Sequence, residues 1–288
     1  MKKLLYHFDT DLVPSIFDSV VAYDGGADHV TQYAGIHEDN CSKLVEGAIY
    51  TRAPKHKKNT AIFIGGSDLA AGQSLLEAVQ RNFFQNFRVS VMLDSSGCNT
   101  TAAASVALIS RTTSLQDKIA VVLAGTGPVG QRVAMLLAQG GAKVRLTSRK
   151  QERSIAACSE MAKRFGVSLE PIEASDTNSI TTALEGAQVV FGAGKAGIQL
   201  LEASHWQQHA TIEVLADVNT SGSPGFEGIL MTDHDMERFG KRIFGGLGIG
   251  ALKLKLHRAC VEKLFASNDH VLDADMIYEI ALDMAHSE

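Results

Sequence analysis

Between residues 119 and 150 the chain reads IAVVLAGTGPVGQRVAMLLAQGGAKVRLTSRK, and no other stretch restricts the fold so tightly. The apolar run 119–123 predicts a buried parallel strand, because such strands are covered on both faces and read as unbroken hydrophobic segments. Val133, Leu136 and Leu137 then recur at helical spacing, Gly140-Gly141 stops the helix, and residues 144–146 predict a second strand. Between the first strand and the helix lie Gly125, Thr126, Gly127, Pro128, Val129 and Gly130. A G-x-G-x-x-G at the first turn of a β-α-β unit is the setting in which glycines cradle a dinucleotide pyrophosphate. The first permits the turn. The second lets backbone approach the phosphates. The third lets the helix pack on the strand, with its N-terminal amides facing the anion.

The end of the second strand decides which dinucleotide. A site for NAD places Asp or Glu roughly 20 residues after the glycines, where it accepts from the ribose 2′-hydroxyl. Here the chain has Thr147-Ser148-Arg149-Lys150, two hydroxyls and two cations. A carboxylate would repel a 2′-phosphate, whereas Arg149 binds one in a planar fork and Lys150 as a point charge. Ser148, Arg149 and Lys150 therefore favour NADP, with NAD left open. The competing reading makes Arg149 and Lys150 solvated residues that open the next helix.

Strands alternate with helices along the whole chain, which predicts an α/β protein of two α/β domains. In residues 1–112 strands are expected at 4–8, 48–51, 61–64 and 88–93. Helices are expected at 14–21, from 67–68 to 84, and from 99–101 to 110. Residues 113–248 form a Rossmann-type parallel sheet, whose later strands are 168–171, 187–191 and 212–216. The loop 220–228 is expected to be irregular. The glycine-rich stretch 244–250 lacks the Lys-Ser/Thr ending of a phosphate loop. Residues 249–288 predict C-terminal helices, 252–265 and 274–285, that bridge back to the first domain.

Composition narrows the partners. The 288 residues carry a net charge of −5 with 45% hydrophobic and 20% charged residues, which favours neither nucleic acid nor an anionic membrane. The N-terminus is too short and polar for a signal peptide, and no segment has the apolar length of a membrane span, so a cytoplasmic protein is expected. Cys41, Cys98, Cys158 and Cys260 are scattered, which predicts reduced thiols and neither a disulfide framework nor a metal site. Lys55-His56-Lys57-Lys58 reads as solvated loop, or as a local anion site.

Ligands of open α/β sheets bind beyond the carboxyl ends of the strands. That rule selects Asp9, Thr10, Asp11, Ser67, Asp68, Asp94, Ser95 and Asn99 in the first domain, and Ala193, Gly194, Lys195, Asp217 and Asn219 in the second. Two such domains predict a cleft with the nucleotide on one wall and a substrate on the other. Small residues at Ala193 and Gly194 suit close passage of the nicotinamide ribose. The plainer reading of the Asp and Asn residues is as turn and cap residues.

The segments FDTD (8–11), YDGGADH (23–29), YTR (50–52), MLDSSGCNTTAAA (92–104), VLAGTGPVG (122–130) and GGLGIGALKLKLHRAC (245–260) resemble the NAD(P)-dependent methylene-tetrahydromethanopterin dehydrogenases of methylotrophic bacteria. The resemblance spans essentially the whole chain. It implies hydride transfer from N5,N10-methylene-tetrahydromethanopterin to NADP⁺, giving the methenyl cation; some members also use NAD or the tetrahydrofolate analogue. Oxidising a carbon between two nitrogens removes no proton, so catalysis consists chiefly of placing donor against acceptor. On this reading Asp94 and Asn99 are the candidate catalytic residues, with Lys255 weighed against Lys253 for the ring carbonyl or an anionic tail. Asp11, Asp18, Asp24 and Thr100 are candidates for the pterin; Asp217 joins the cofactor set. Asp18 could equally be a helix-face carboxylate, and Lys255 a solvated one. The family also implies a homo-oligomer, a trimer or a multiple of it.

Two rivals follow. A methylene-tetrahydrofolate dehydrogenase shares the chemistry, and with cyclohydrolase activity needs a proton-handling lysine, for which Lys55 or Lys57 stands off the predicted strand ends. A non-catalytic NADP-binding sensor needs the glycine loop alone.

Overall fold

The protein is described from a computed structural model, which covers residues 1–221 and 225–287. The expected loop 220–228 lies partly outside these described residues. Two compact units divide the chain: Met1–Thr100 with Leu254–Ile280, and Thr101–Lys253 with Ala281–Glu288.

In the first unit β1 (Leu4–Asp9), α1 (Ile16–Asp24), β2 (His29–Tyr33), α2 (Ser42–Tyr50), β3 (Thr60–Gly65), α3 (Leu69–Arg81) and β4 (Ser90–Leu93) follow in order. The chain enters the second unit within α4 (Cys98–Thr112). The strands β3 and β4 are buried along their whole length, as two-sided cover requires. Asp68 caps α3, accepting from the amides of Ala70 (2.8 Å) and Ala71 (3.1 Å). The strand expected at 48–51 is instead the end of α2. Val45, Ala48 and Ile49 are its buried face, spaced i, i+3, i+4, and an apolar triplet is too short to tell that period from a strand. Lys57 is also unlike the expected solvated lysine. It is buried in a two-turn 3₁₀ segment, Pro54–Asn59, donating to the Ile49 carbonyl, with its ammonium 4.0 Å from the centre of the Phe87 ring.

The second unit holds β5 (Ile119–Leu123), α5 (Pro128–Gln139), β6 (Lys143–Ser148), α6 (Gln151–Phe165), β7 (Leu169–Glu173), α7 (Thr177–Leu184), β8 (Val189–Gly192), α8 (Ala203–Trp206), β9 (Val214–Asp217), β10 (Met236–Arg238) and β11 (Lys241–Phe244). Then α9 (Gly246–Leu264) returns the chain to the first unit. There β12 (Val271–Leu272) completes a parallel five-stranded sheet of order β12-β4-β3-β1-β2, and α10 (Ala274–His286) ends the chain.

The second sheet has the order β10-β11-β9-β8-β5-β6-β7, parallel except for β10. Its six parallel strands follow the doubly wound order, with the topological switch between β5 and β8. Below β8 and β9 the core packs Val190, Leu215, Trp206 and Phe226, all within 1% of full burial, each worth about 1.5–3 kcal/mol relative to exposure. The indole N–H of Trp206 donates to the Glu227 carbonyl at 2.9 Å, so its burial leaves no orphan donor. Among the described residues no helix is long and apolar enough to cross a membrane, and no group of His, Cys, Asp and Glu could hold a metal ion.

Candidate active site

Each unit carries its own cluster of strand-end residues. In the second, the β5–α5 turn begins at Ala124, held at φ 52°. Left-handed backbone is costly for alanine, and two bonds fix it: the Ala124 amide donates to Thr147 Oγ1 (3.2 Å) and the Gly125 amide to the Thr147 carbonyl (3.0 Å). The turn is thereby bound to the end of β6. The three glycines divide their work. A Cβ at Gly130 would lie 2.6 Å from Gly125 backbone, whereas one at Gly127 would meet nothing within 4 Å. Gly130 is therefore a packing glycine, and Gly127, the N-cap of α5, borders open space. No side chain caps α5, and Pro128 stands in its first turn, so no capping side chain competes for its first amides. That end of the helix fits a pyrophosphate.

Beside this turn is a cleft of about 360 Å³. Its walls include Thr126, Ser148, Arg149, Arg153, Ser175 and Lys195. Arg149, Arg153 and Lys195 are all exposed, and Ser148 is buried at the end of β6. Lys150 is exposed too, but is not one of the walls; it is the N-cap of α6. Sequence reasoning passed over Arg153, whose signal was its place four residues beyond Arg149.

At the end of β8 the Ala193 amide donates to the Leu123 carbonyl (3.0 Å), and Gly194 lines the cleft while also packing against Leu200. Asp217, at the end of β9, is buried. It accepts from the amides of Asn219 (3.1 Å) and Phe226 (3.0 Å), tying both to the end of β9, and burial pushes its carboxyl above the usual range. The glycine-rich stretch 245–248 is where α9 starts against backbone. A Cβ at Gly245 or Gly248 would come within 2.0 Å of the carbonyls of Leu230 and Asp233 respectively.

In the first unit Asp94 lies fully buried at the end of β4. Its Oδ1 accepts from the amides of Asn99 (2.8 Å) and Thr100 (3.0 Å), and its Oδ2 from the Thr100 hydroxyl (2.6 Å). Asn99 is equally buried and donates to the Leu93 carbonyl (2.6 Å). The three side chains form a closed cap for the start of α4. Two buried histidines, which sequence reasoning passed over, flank this region. His257 on α9 places Nδ1 3.9 Å from Asp94 Oδ2 and stacks on Phe63. His7 on β1 places Nε2 3.3 Å from Asp9 Oδ2, and burial lowers its pKa while the Asp9 charge opposes the shift. The available signal was the i, i+2 spacing of His7 and Asp9, which shares a strand face. Asp11 is half-buried and accepts from the amide (3.0 Å) and hydroxyl (2.9 Å) of Ser67. Asp18 is buried in the first turn of α1, and Asp24 is an exposed partner of Arg258 at 2.7 Å. Lys255 is exposed on α9, with Lys253 half-buried.

With this geometry in view, relatives identify the lineage. Residues 16–96 match a family model described as methylene-tetrahydromethanopterin dehydrogenase, N-terminal, and residues 116–213 match the NmrA-like family. The chain is 53% identical over 286 residues to the Bifunctional protein MdtA of Methylorubrum extorquens strain AM1, covering 99% of both. It is 27% identical over 296 residues to the NAD(P)-dependent methylenetetrahydromethanopterin dehydrogenase of the same organism, covering 99% of this chain and 100% of that one. Among solved structures, quinate dehydrogenase from Corynebacterium glutamicum in complex with NAD superposes with a TM-score of 0.53 at 15% identity, covering 98% of this chain and 99% of that one. A chorismate mutase/shikimate 5-dehydrogenase fusion protein from Clostridium acetobutylicum gives 0.52 at 11%, covering 99% of each. At those identities the structures speak for the two-unit α/β fold alone, while the full-length match at 53% identity fixes the lineage: the chain belongs to the methylene-tetrahydromethanopterin dehydrogenase family.

Proposed function

We propose that the protein oxidises N5,N10-methylene-tetrahydromethanopterin to the methenyl pterin with NADP⁺. One observation carries the cofactor half of this reading: a glycine turn opening on a cleft whose second-strand end offers Ser148 and Arg149 and no carboxylate. When bound, NADP⁺ supplies the acceptor for the hydride that leaves the methylene carbon. The chain's task is to hold and to orient. Gly127 and the first amides of α5 receive the pyrophosphate, Ser148 and Arg149 the 2′-phosphate, and Ala193 and Gly194 the small-residue margin that the nicotinamide ribose needs. Asp217 supports that end by holding Asn219 and Phe226 against β9.

For the pterin we assign Asp11, Asp18 and Asp24 as carboxylates suited to its amino-pyrimidinone ring, and Lys255 to a carbonyl or an anionic tail. Asp94, Asn99 and Thr100, buried and bonded to one another, act as positioning residues that fix the end of β4. Negative charge in this unit favours the cation that forms. No general base is required, because no proton is removed. The family resemblance further supports a cytoplasmic homo-oligomer of threefold order.

The test is steady-state reduction of NADP⁺ and NAD⁺ with methylene-tetrahydromethanopterin and with methylene-tetrahydrofolate. Turnover of the methanopterin substrate, faster with NADP⁺, is expected. Turnover of the folate alone would sink the pterin assignment, and nucleotide binding without turnover of either would leave a sensor.

A further inference from the structure

In a β-α-β nucleotide site the residues just past the second strand choose between a ribose hydroxyl and a phosphate. Sequence offers Arg149 and Lys150 there as neighbours, but the structure separates them. Arg149 lines the cleft and Lys150 does not. Lys150 has extended backbone at the N-cap of α6 (φ −133°, ψ 123°), and successive side chains on extended backbone point to opposite sides. Two other cations stand in the walls: Arg153, in the first turn of α6, and Lys195, in the loop after β8. Among the described residues, neither these two nor Arg149 pairs with a carboxylate. Glu173 accepts from the Ser175 hydroxyl at 3.2 Å and is not a wall of the cleft.

We propose that Arg153 and Lys195 complete the 2′-phosphate site, and that Lys150 stands outside it. This rests on the NADP reading above and deepens it. A phosphate monoester carries a charge of about −1.5 to −2 at neutral pH, enough to engage several cations at once. Arg149 and Arg153 offer planar forks, while Lys195 supplies a point charge from the loop after β8. A ribose hydroxyl satisfies none of the three, so the trio selects NADP over NAD by leaving cations unmatched in the wrong complex.

The test uses the full chain and two probes, adenosine 2′,5′-bisphosphate and 5′-AMP, with binding measured by titration calorimetry. Arg153→Ala and Lys195→Ala should each weaken the bisphosphate about tenfold or more, the scale of a charge-assisted hydrogen bond. Binding of 5′-AMP should change by no more than about twofold, since its contacts lie elsewhere. Arg153→Lys should recover part of the loss, and Lys150→Ala should lose less than Arg153→Ala. KM for NADP⁺ should rise with kcat preserved. A Lys150→Ala loss equal to or above that of Arg153→Ala overturns the assignment, as does equal weakening of both probes by Arg153→Ala. If the unaltered protein binds 5′-AMP as tightly as the bisphosphate, the NADP reading itself fails, and the proposal with it.

Discussion

His7 shows how a buried residue can set a pH limit on the molecule. Its imidazole is 1% exposed, Nδ1 lies 3.3 Å from the Gln32 amide nitrogen, and Nε2 faces Asp9. An amide nitrogen donates, so Nδ1 is the acceptor and the proton sits on Nε2, toward the carboxylate. Burial holds the folded pKa below the ordinary value of about 6.5, so the unfolded chain takes up the proton first as pH falls. The stability contributed by neutral His7 is thus complete above the unfolded pKa and is lost as pH drops through the window below it. Melting temperatures at about pH 7.5 and about pH 5.5 should differ more for the unaltered protein than for His7→Gln. Equal slopes would mean that other groups carry the acid sensitivity. At this scale the sequence was a partial guide. It made Asp94 and Asn99 conspicuous by their place after a strand, yet their closed bonding to Thr100 and Leu93 depends on backbone geometry that only folding supplies. It left Arg153 unremarked because membership of a cleft wall is a property of four strand ends together.

At the scale of elements, the glycine turn and its helix separate packing from ligand space. Gly130→Ala drives a methyl group into Gly125 backbone, which cannot step aside, and should cost about 1–3 kcal/mol of stability. Gly127→Ala enters open space and should leave the melting temperature nearly unchanged while raising KM for NADP⁺. If Gly127→Ala destabilised as much as Gly130→Ala with nucleotide affinity intact, the division of labour drawn between them would be wrong. Elements with an uninterrupted pattern were legible: β5, β6 and α5 fall within a few residues of expectation. The elements that escaped were those whose pattern is broken for local reasons. In β11 the buried Lys241 donates to the carbonyls of His209 (2.7 Å) and Ile212 (3.2 Å), so a strand position reads as a surface lysine. The edge strand β2 is mostly exposed or half-buried and carries little hydrophobic signal. The start of α9 is hidden by glycines that close backbone contact demands.

At the scale of the whole molecule, α/β character and a Rossmann-type second sheet were legible because alternation of strand and helix is a long-range pattern that single ambiguous segments do not erase. The strand pairing of the first sheet was not, since β12 is a two-residue strand some 180 positions from its partner β4. The first unit is discontinuous in sequence: Leu254–Ile280 belongs with Met1–Thr100, and nearly all of the second unit lies between them. During synthesis the nascent chain must therefore hold an incomplete first sheet, with β4 still an open edge, until the second unit has been made. Open edges recruit other strands, so this interval is the molecule's exposure to misassembly. A chain arrested after residue 253 should give protease-resistant fragments from the second unit and rapid cleavage within residues 1–100. Equal protection of both would show that the first unit needs nothing from beyond the arrest. Chain order thus lets the second unit complete its sheet first, whereas the unit to which we assign the pterin closes its own only once β12 (Val271–Leu272) has been made.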